Sequence, residues 1–210
     1  MDRPEIVAAF AQAALNGGAA GLRIEGIANI VAVRRVTRAP VIGLIKRDLS
    51  DSPVRITPFG QDVHDLVAAG ADIVAFDATG RQRPEPLTAL VAAIDALGAV
   101  AMADCACAAD GARAQGMGVT VLGSTMSGYT GGEVPQGPDL ALVAELPATG
   151  SFVVAEGRYH TPAQAAQAMA AGASAVVAGS AITRTEHVTG WFVHARGAGA
   201  PNVGQGASDG

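Results

Sequence analysis

Four charged side chains that could move protons or bind a polar ligand lie at or directly after the ends of short apolar segments of the chain. Lys46 closes one apolar run, and Arg23 lies near the end of the run before it. Asp104 and Glu156 come directly after two further runs. Amines and carboxyl groups are side chains that accept and return protons in general acid–base catalysis. The ordinary alternatives are a lysine that reaches out to water, two loop carboxylates, and a salt bridge between Arg23 and Glu25.

A second group of residues has the composition of a phosphate site. Gly157 follows Glu156 directly. Gly179, Ser180 and Arg184 follow the next apolar run along the chain. Glycine allows backbone N–H groups to approach an anion, and arginine adds charge and a two-pronged hydrogen bond. The same glycines could instead serve only to make tight turns between strands and helices.

Seven apolar runs alternate with Ala-rich segments of helical character, and these elements must position the polar groups. The runs are Ala20–Ile24, Val41–Ile45, Ile73–Phe76, Val100–Ala103, Val119–Gly123, Phe152–Ala155 and Ala175–Ala178. Their near-continuous apolar character is typical of parallel strands that are buried on both faces. The alternation predicts parallel βα units, in either an open doubly wound sheet or a closed (β/α)8 barrel.

The barrel is the better of these two interpretations. No G-x-G-x-x-G motif opens the first unit, which weakens the dinucleotide-binding form of the open sheet. The polar residues follow the apolar runs, and in a barrel the strand ends form the active-site face. The loops after the last two strands of a barrel commonly bind phosphate, and Gly157 and Gly179 stand in those loops. We therefore predict an α/β TIM barrel over residues 1–196 and a flexible tail over residues 197–210.

The predicted strands are one short of a full barrel. The chain shows seven strands and opens on a helix, so we expect a first strand upstream of Pro4 that this chain lacks. If that strand is counted, Lys46 ends the third strand and Glu156 ends the seventh. Strands four apart in a barrel of eight face each other across its mouth. A base and an acid on opposite walls suit inversion at a carbon centre.

Composition and charge exclude several classes of protein. The net charge of −5 argues against a nucleic-acid partner, because such a partner requires a dense basic patch. Cys105 and Cys107 are the only cysteines and are too close in sequence to pair well, which favours a reducing, cytoplasmic compartment. The uncharged run between Arg158 and Arg184 is too polar to span a membrane. The histidines do not cluster, so no metal site is expected.

Seven segments of the chain, in order, together resemble those of bacterial N-acetylmannosamine-6-phosphate 2-epimerases. They are Leu22–Gly26, Pro40–Asp48, Ile56–Pro58, Ala103–Cys105, Thr125–Thr130, Ala155–Arg158 and Gly179–Arg184. The resemblance extends from about Asp2 to His194. It implies a phosphate-binding (β/α)8 barrel that uses no metal or redox cofactor. It also implies conversion of N-acetylmannosamine 6-phosphate to N-acetylglucosamine 6-phosphate during the breakdown of sialic acid.

The resemblance also implies a role for individual residues. Lys46 takes the proton from C2 of the sugar, and Glu156 is the second catalytic group. Arg23 and Asp104 bind the sugar. The phosphate is held by four residues, namely Gly157, Gly179, Ser180 and Arg184. Because the C2 proton is acidic only in the open-chain aldehyde, the ring opens first. Glu156 then either reprotonates C2 or assists ring opening while a substrate hydroxyl carries the proton.

Two other functions stay open from the sequence. One is a lyase in which Lys46 forms a Schiff base with the carbonyl of a sugar phosphate. The other is a truncated, inactive barrel that binds sugar phosphates or a partner. It is suggested because members of the family usually begin with a strand that carries Ser-Cys-Gln, and this chain starts after it. The expected ligand is a small sugar phosphate, and the expected assembly is a homodimer.

Overall fold

In the part of the chain that the structure describes, seven parallel strands are interleaved with helices. The computed structural model describes residues 3–131, 134–146 and 150–198. The strands form one sheet in chain order: β1 (Leu22–Glu25), β2 (Val41–Leu44), β3 (Ile73–Asp77), β4 (Val100–Asp104), β5 (Val121–Gly123), β6 (Phe152–Glu156) and β7 (Ala175–Val177). The helices are α1 (Pro4–Asn16), α2 (Ile27–Arg34), α3 (Gly60–Ala69), α4 (Leu87–Ala96), α5 (Ala108–Gly116), α6 (Leu140–Glu145), α7 (Pro162–Ala170), α8 (Ser180–Thr183) and α9 (Thr185–Ala198). The chain divides into two compact units, residues 1–178 and residues 179–210.

All seven predicted runs form strands, and every neighbouring pair is parallel. The largest differences between the predicted runs and the observed strands are at the starts of β1 and β5. Each of these strands begins two residues later than its apolar run. The N–H of Leu22 donates to the carbonyl of Pro40 at the start of the β1–β2 ladder. The N–H of Val119 still donates to the carbonyl of Ala114 in α5, so this residue belongs to the turn that precedes β5.

The sheet of the first unit curls into a barrel. In a flat sheet β1 and β6 would lie five strand spacings apart, or about 24 Å. In the structure, Nε of Arg23 on β1 lies 2.9 Å from Oε2 of Glu156 on β6. A contact this short between the first strand and the sixth requires the sheet to turn round on itself. The predicted TIM-barrel architecture is therefore confirmed.

Buried side chains pack on both faces of this curled sheet. On β4, Met102 belongs to one cluster while Ala101 and Ala103 belong to another, because neighbouring residues of a strand point to opposite faces. The cluster that contains Met102, called the inner cluster here, has one buried side chain from each of five strands, namely Leu44, Ala75, Met102, Val121 and Val154. The outer cluster joins the sheet to the helices through residues such as Leu66 and Leu90. Burial on both faces explains why the strands are near-continuously apolar.

Close packing of α2 and α3 against β2 depends on a glycine. A Cβ atom at Gly43 would lie 2.7 Å from the Cβ of Ala71 and 3.0 Å from Cδ1 of Ile30. Any larger residue would push these neighbours away from the strand. Gly43 therefore allows β2, the strand that precedes Lys46, to pack closely against the neighbouring helices.

The described part of the second unit consists of α8 and α9. The carbonyl of Gly179 accepts hydrogen bonds from the N–H groups of Ile182 and Thr183, which begins α8. Helix α9 runs to Ala198, and the rest of the predicted tail, residues 199–210, lies outside the described residues. Among the helices that the structure describes, none is long and apolar enough to cross a membrane.

Candidate active site

The carboxyl ends of the strands bring four of the predicted site residues to one end of the barrel. Arg23 lies in β1, and Lys46 follows β2. Asp104 and Glu156 are the last residues of β4 and β6. Parallel strands in a barrel open their carboxyl ends on one face, where active sites of this architecture lie. A charged residue at the carboxyl end of an apolar strand therefore lies at the mouth of the barrel.

Arg23 joins the two carboxylates of the site. Its Nη1 and Nη2 atoms donate to Oδ1 and Oδ2 of Asp104 at 3.2 and 2.7 Å, and its Nε lies 2.9 Å from Oε2 of Glu156. The side chain of Arg23 is only 6% exposed. Burial lowers the pKa of Arg23, but the two carboxylates outweigh this effect and hold the pKa above its ordinary value. The local pair with Glu25 that the sequence allowed is not formed, because the guanidinium points to Asp104 and Glu156.

The carboxyl group of Glu156 is biased toward its protonated form. Burial raises its pKa above the ordinary value, and this effect exceeds the opposing effect of Arg23. The negative charge of Asp104 raises the pKa further. A carboxyl group that keeps its proton closer to neutral pH is suited to act as a general acid.

Two hydroxyl residues directly after β5 hold Glu156 in place. The hydroxyl of Ser124 accepts the N–H of Glu156 at 3.0 Å and donates to its carbonyl at 2.9 Å. Oγ1 of Thr125 lies 2.7 Å from Oδ1 of Asp104 and 3.2 Å from Oε2 of Glu156. Sequence reasoning gave neither residue a role. The available signal was the pair of hydroxyl residues where a buried strand ends.

Lys46 lies in a loop that folds back against the end of β2. It forms an antiparallel bridge with Ile56, and the N–H of Thr57 donates to the carbonyl of Ile45 at 2.8 Å. The side chain of Lys46 is exposed. Its positive charge opposes the rise in the pKa of Glu156, though less than Arg23 does. The lysine is thus within electrostatic reach of the carboxylates at the mouth.

Gly157 turns the chain out of β6. Its φ of 104° lies in the left-handed region that favours glycine, and Arg158 follows with a φ of 63°. The guanidinium of Arg158 donates to the carbonyls of Ser127 and Gly137 at 2.8 and 2.7 Å. It also lies 5.6 Å from the ring centroid of Tyr129. Arg158 therefore ties the loop that follows β5 to the end of β6.

The other three predicted phosphate ligands lie in the second unit. Gly179 precedes α8, Ser180 is its first residue, and Arg184 follows its end. Nε of Arg184 lies 2.8 Å from Oε1 of Glu186 in a solvent-exposed ion pair. The assignment of these three residues to the phosphate stays a prediction.

The site therefore combines the guanidinium of Arg23, the carboxyl groups of Asp104 and Glu156, and the nearby amino group of Lys46. Arg23 can donate hydrogen bonds to a sugar oxygen while it holds the carboxylates together. Lys46 and Glu156 come from strands four apart in the sheet and carry groups that exchange protons. Within the described ranges, no three His, Cys, Asp or Glu side chains are grouped as metal ligands.

The sequence matches a known family along most of its length. A family described as "Putative N-acetylmannosamine-6-phosphate epimerase" matches residues 7–198. A relative from Actinobacillus pleuropneumoniae serotype 5b (strain L20), named "Putative N-acetylmannosamine-6-phosphate 2-epimerase", is 59% identical over 192 residues, which cover 91% of this chain and 84% of the relative. A relative of the same name from Pasteurella multocida (strain Pm70) is 57% identical over 195 residues, which cover 93% of this chain and 86% of the relative.

A solved structure shares the fold of the chain. It is that of the N-acetylmannosamine-6-phosphate 2-epimerase from Clostridium perfringens, which is 36% identical and superposes with a TM-score of 0.89. The match covers 92% of this chain and 86% of the other. The resemblance carried by the seven sequence segments is thus confirmed by both sequence and structure. The chain belongs to the N-acetylmannosamine-6-phosphate epimerase family.

Proposed function

We propose that this protein interconverts N-acetylmannosamine 6-phosphate and N-acetylglucosamine 6-phosphate, which differ in configuration at C2. The observation that carries the proposal is the buried cluster of Arg23, Asp104 and Glu156 at the mouth of the barrel, with the charge of Lys46 close enough to affect Glu156. Membership of the epimerase family supports the same reaction. The reaction belongs to amino-sugar catabolism, including the breakdown of sialic acid.

The reaction begins with proton abstraction from the ring-opened sugar. In the open-chain form, the aldehyde at C1 makes the C2 proton acidic, and Lys46 removes it. Negative charge then develops on the oxygen at C1, where the guanidinium of Arg23 can stabilise it. Glu156 returns a proton to the opposite face of C2, and its raised pKa favours the protonated form that this step needs.

The remaining residues bind the sugar and its phosphate. Arg23 and Asp104 contact the sugar, and their mutual hydrogen bonds keep both groups oriented. For the phosphate we propose the backbone N–H groups of Gly157, Gly179 and Ser180 and the guanidinium of Arg184. Because Gly157 has a positive φ, it can present its N–H to an anion in a geometry that other residues rarely adopt.

The first test is proton NMR of the purified protein with N-acetylmannosamine 6-phosphate in D2O. The proposal expects N-acetylglucosamine 6-phosphate with deuterium at C2. Binding of the sugar phosphate with neither product nor exchange would favour an inactive sugar-phosphate-binding barrel and would contradict the proposal.

A separate test addresses the Schiff-base lyase. Lys46 is the only lysine in the chain, so any imine trapped at a lysine by borohydride has one possible position. An epimerase that uses Lys46 as a base leaves this residue unmodified. Mass spectrometry that finds a reduced adduct of the substrate on Lys46 would support the lyase instead.

We infer that the protein works as a homodimer in the cytoplasm. Two-fold dimers are the commonest assembly of soluble enzymes. Cys105 and Cys107 are both free thiols, which fits a reducing compartment. Sedimentation equilibrium would give twice the mass of 20.9 kDa for a dimer.

A further inference from the structure

Three arginines line a cavity, and none of the described residues that line it belongs to the candidate active site. Arg81 and Arg83 lie in the loop that follows β3, and Arg113 lies on α5. The cavity lies between this loop, the start of α4 and α5, and its volume is about 560 Å³. That volume is within the range of about 300 to 1,000 Å³ that is typical of small-molecule sites. The proposed reaction gives these three arginines no role.

The arginines of this cavity outnumber the carboxylates that pair with them. Nη2 of Arg81 lies 2.5 Å from Oδ2 of Asp77, and Nη2 of Arg83 lies 3.5 Å from the other oxygen of the same carboxylate. Nη2 of Arg113 lies 2.5 Å from Oδ1 of Asp110. In the described part of the chain these are the only ion pairs of the three arginines, so three guanidinium groups face two carboxylates. The cluster therefore has an excess of positive charge.

The excess charge acts most directly on Arg83. Its side chain is 12% exposed, and burial lowers its pKa below the ordinary value. Asp77 opposes this effect, whereas the positive charges of Arg113 and Arg81 lower the pKa further. An anion in the cavity would offset this repulsion, because a nearby negative charge favours the charged form of a basic group.

Hydrogen bonds within the protein orient the three guanidinium groups and leave part of each one unused. Nε of Arg81 and Nη1 of Arg83 donate to oxygen atoms of their own loop, and Nη2 of Arg113 donates to the carbonyl of Ala78 at 2.7 Å. Among the described residues, no acceptor contacts Nη1 of Arg81, Nε of Arg83, or Nε and Nη1 of Arg113. Donors that are already oriented bind an anion at a lower entropic cost.

The start of α4 lies beside the arginines. Leu87 and Thr88 line the same cavity. Pro86 is the N-cap of this ten-residue helix, no side chain caps it, and its first turn contains no acidic residue. The backbone N–H groups at such a helix start favour a negative charge. The helix therefore adds to the positive potential that the arginines create.

We propose that this cavity is a phosphate site separate from the candidate active site, in which Arg81, Arg83 and Arg113 bind the phosphate group of a small molecule. Guanidinium groups bind phosphate through paired hydrogen bonds, which a lysine cannot form. The phosphate is either free or one end of an ester, and the cavity has room for the rest of a small ester. The site goes beyond the proposed function, in which the loops after β6 and β7 hold the phosphate of the substrate.

Nitrogen-15 NMR of the arginine side chains tests the proposal without the substrate. The protein is labelled with nitrogen-15 arginine, and Arg83→Lys and Arg113→Lys identify two of the resonances. Inorganic phosphate is added while sodium chloride keeps the ionic strength constant. We expect the Nε–H resonances of Arg83 and Arg113 to shift and to saturate with a Kd of about 1 mM. A shift that does not saturate, or that sodium chloride alone reproduces, would overturn the proposal, because it would report screening and no site.

A pair of variants tests whether the arginines themselves bind the phosphate. Arg113→Met removes one guanidinium and should raise the Kd, measured at Arg83, at least about tenfold. Arg55→Met makes the same chemical change at an arginine whose pair with Asp48 is exposed, and it should leave the Kd within about twofold. If Arg113→Met does not fold, Arg113→Lys replaces it and should also weaken binding, because it loses the paired hydrogen bonds. A Kd that does not change at Arg113 would overturn the proposal.

A second titration, with glucose 6-phosphate, distinguishes the two sources of the phosphate group. Tighter binding than that of inorganic phosphate assigns the cavity to an ester, and weaker binding assigns it to free phosphate. Either result supports the site. These titrations do not depend on the proposed function, so failure of deuterium exchange at C2 would count against the epimerase reaction alone.

Discussion

Nη2 of Arg23 lies 2.7 Å from Oδ2 of Asp104, although the two residues stand 81 positions apart in the chain. The same guanidinium contacts Oε2 of Glu156 at 2.9 Å, so one cation serves two acidic groups at the mouth of the barrel. Without it, two carboxylates would be buried side by side. Arg23 is therefore needed both for the stability of the mouth and for the chemistry that Glu156 performs.

Replacing Arg23 by Met should be strongly destabilising. The change keeps most of the apolar stem but leaves Asp104 and Glu156 buried without their cation, at a cost of about 3 to 5 kcal/mol in the free energy of unfolding. Urea denaturation measures this cost. Arg55→Met removes an arginine whose pair with Asp48 is exposed, and it should cost less than about 1 kcal/mol. Equal losses for the two variants would show that the cluster is not a buried network.

Replacing Lys46 by Arg should abolish turnover and spare the fold. The positive charge stays, but a guanidinium keeps its proton and cannot act as a base at neutral pH. We expect a loss of at least about 100-fold in kcat, measured by NMR of product formation. Because the side chain is exposed, the free energy of unfolding should change by no more than about 0.5 kcal/mol. Substantial activity in this variant would remove Lys46 from the role of base.

Replacing Glu156 by Gln should change how stability depends on pH. The folded state raises the pKa of Glu156, chiefly by burial, so its contribution to stability is fully present below the pKa of the unfolded chain. That contribution is lost as pH rises through the folded pKa. Gln does not titrate, so the variant should gain stability relative to the wild type across the same interval. Urea denaturation at a series of pH values checks this, and a constant difference would contradict it.

Replacing Gly43 by Ala should destabilise the wall that carries Lys46. The added methyl group would meet the Cβ of Ala71 at 2.7 Å, and we expect a cost of about 1 to 3 kcal/mol in the free energy of unfolding. Gly116→Ala is the matched control, because nothing lies within 4 Å of a Cβ atom there and no positive φ is involved. Urea denaturation of the pair should show a loss at Gly43 and little change at Gly116. Similar values would mean that β2 can shift to make room.

Strand order and architecture could be predicted because parallel strands buried on both faces leave a plain apolar signature. The partners of Arg23 could not be predicted in the same way. The sequence suggested Glu25, two positions along the chain, as a salt-bridge partner of Arg23. The partners in the structure come from β4 and β6 and contact Arg23 only because the sheet curls. The contacts of Thr125 with Asp104 and Glu156 were likewise not predictable, since they also cross between strands.

The boundary of the second unit shows a different limit. The apolar run before Gly179 predicted the last strand, but periodicity predicts elements and does not report where compact units divide. Arg184 was proposed as a phosphate ligand from its type and position, and in the structure it forms an exposed ion pair with Glu186. Its role therefore depends on an experiment with the phosphorylated substrate.

The most direct measurement is of deuterium incorporation at C2 in D2O by two variants, Lys46→Met and Glu156→Gln. Each variant is given N-acetylmannosamine 6-phosphate and, separately, N-acetylglucosamine 6-phosphate. The central claim is that these two residues act on opposite faces of C2. It predicts that Glu156→Gln exchanges the C2 proton of N-acetylmannosamine 6-phosphate without forming the epimer. Lys46→Met should exchange the C2 proton of N-acetylglucosamine 6-phosphate alone. Exchange from both sides in either variant would contradict the claim, because one residue would then serve both faces.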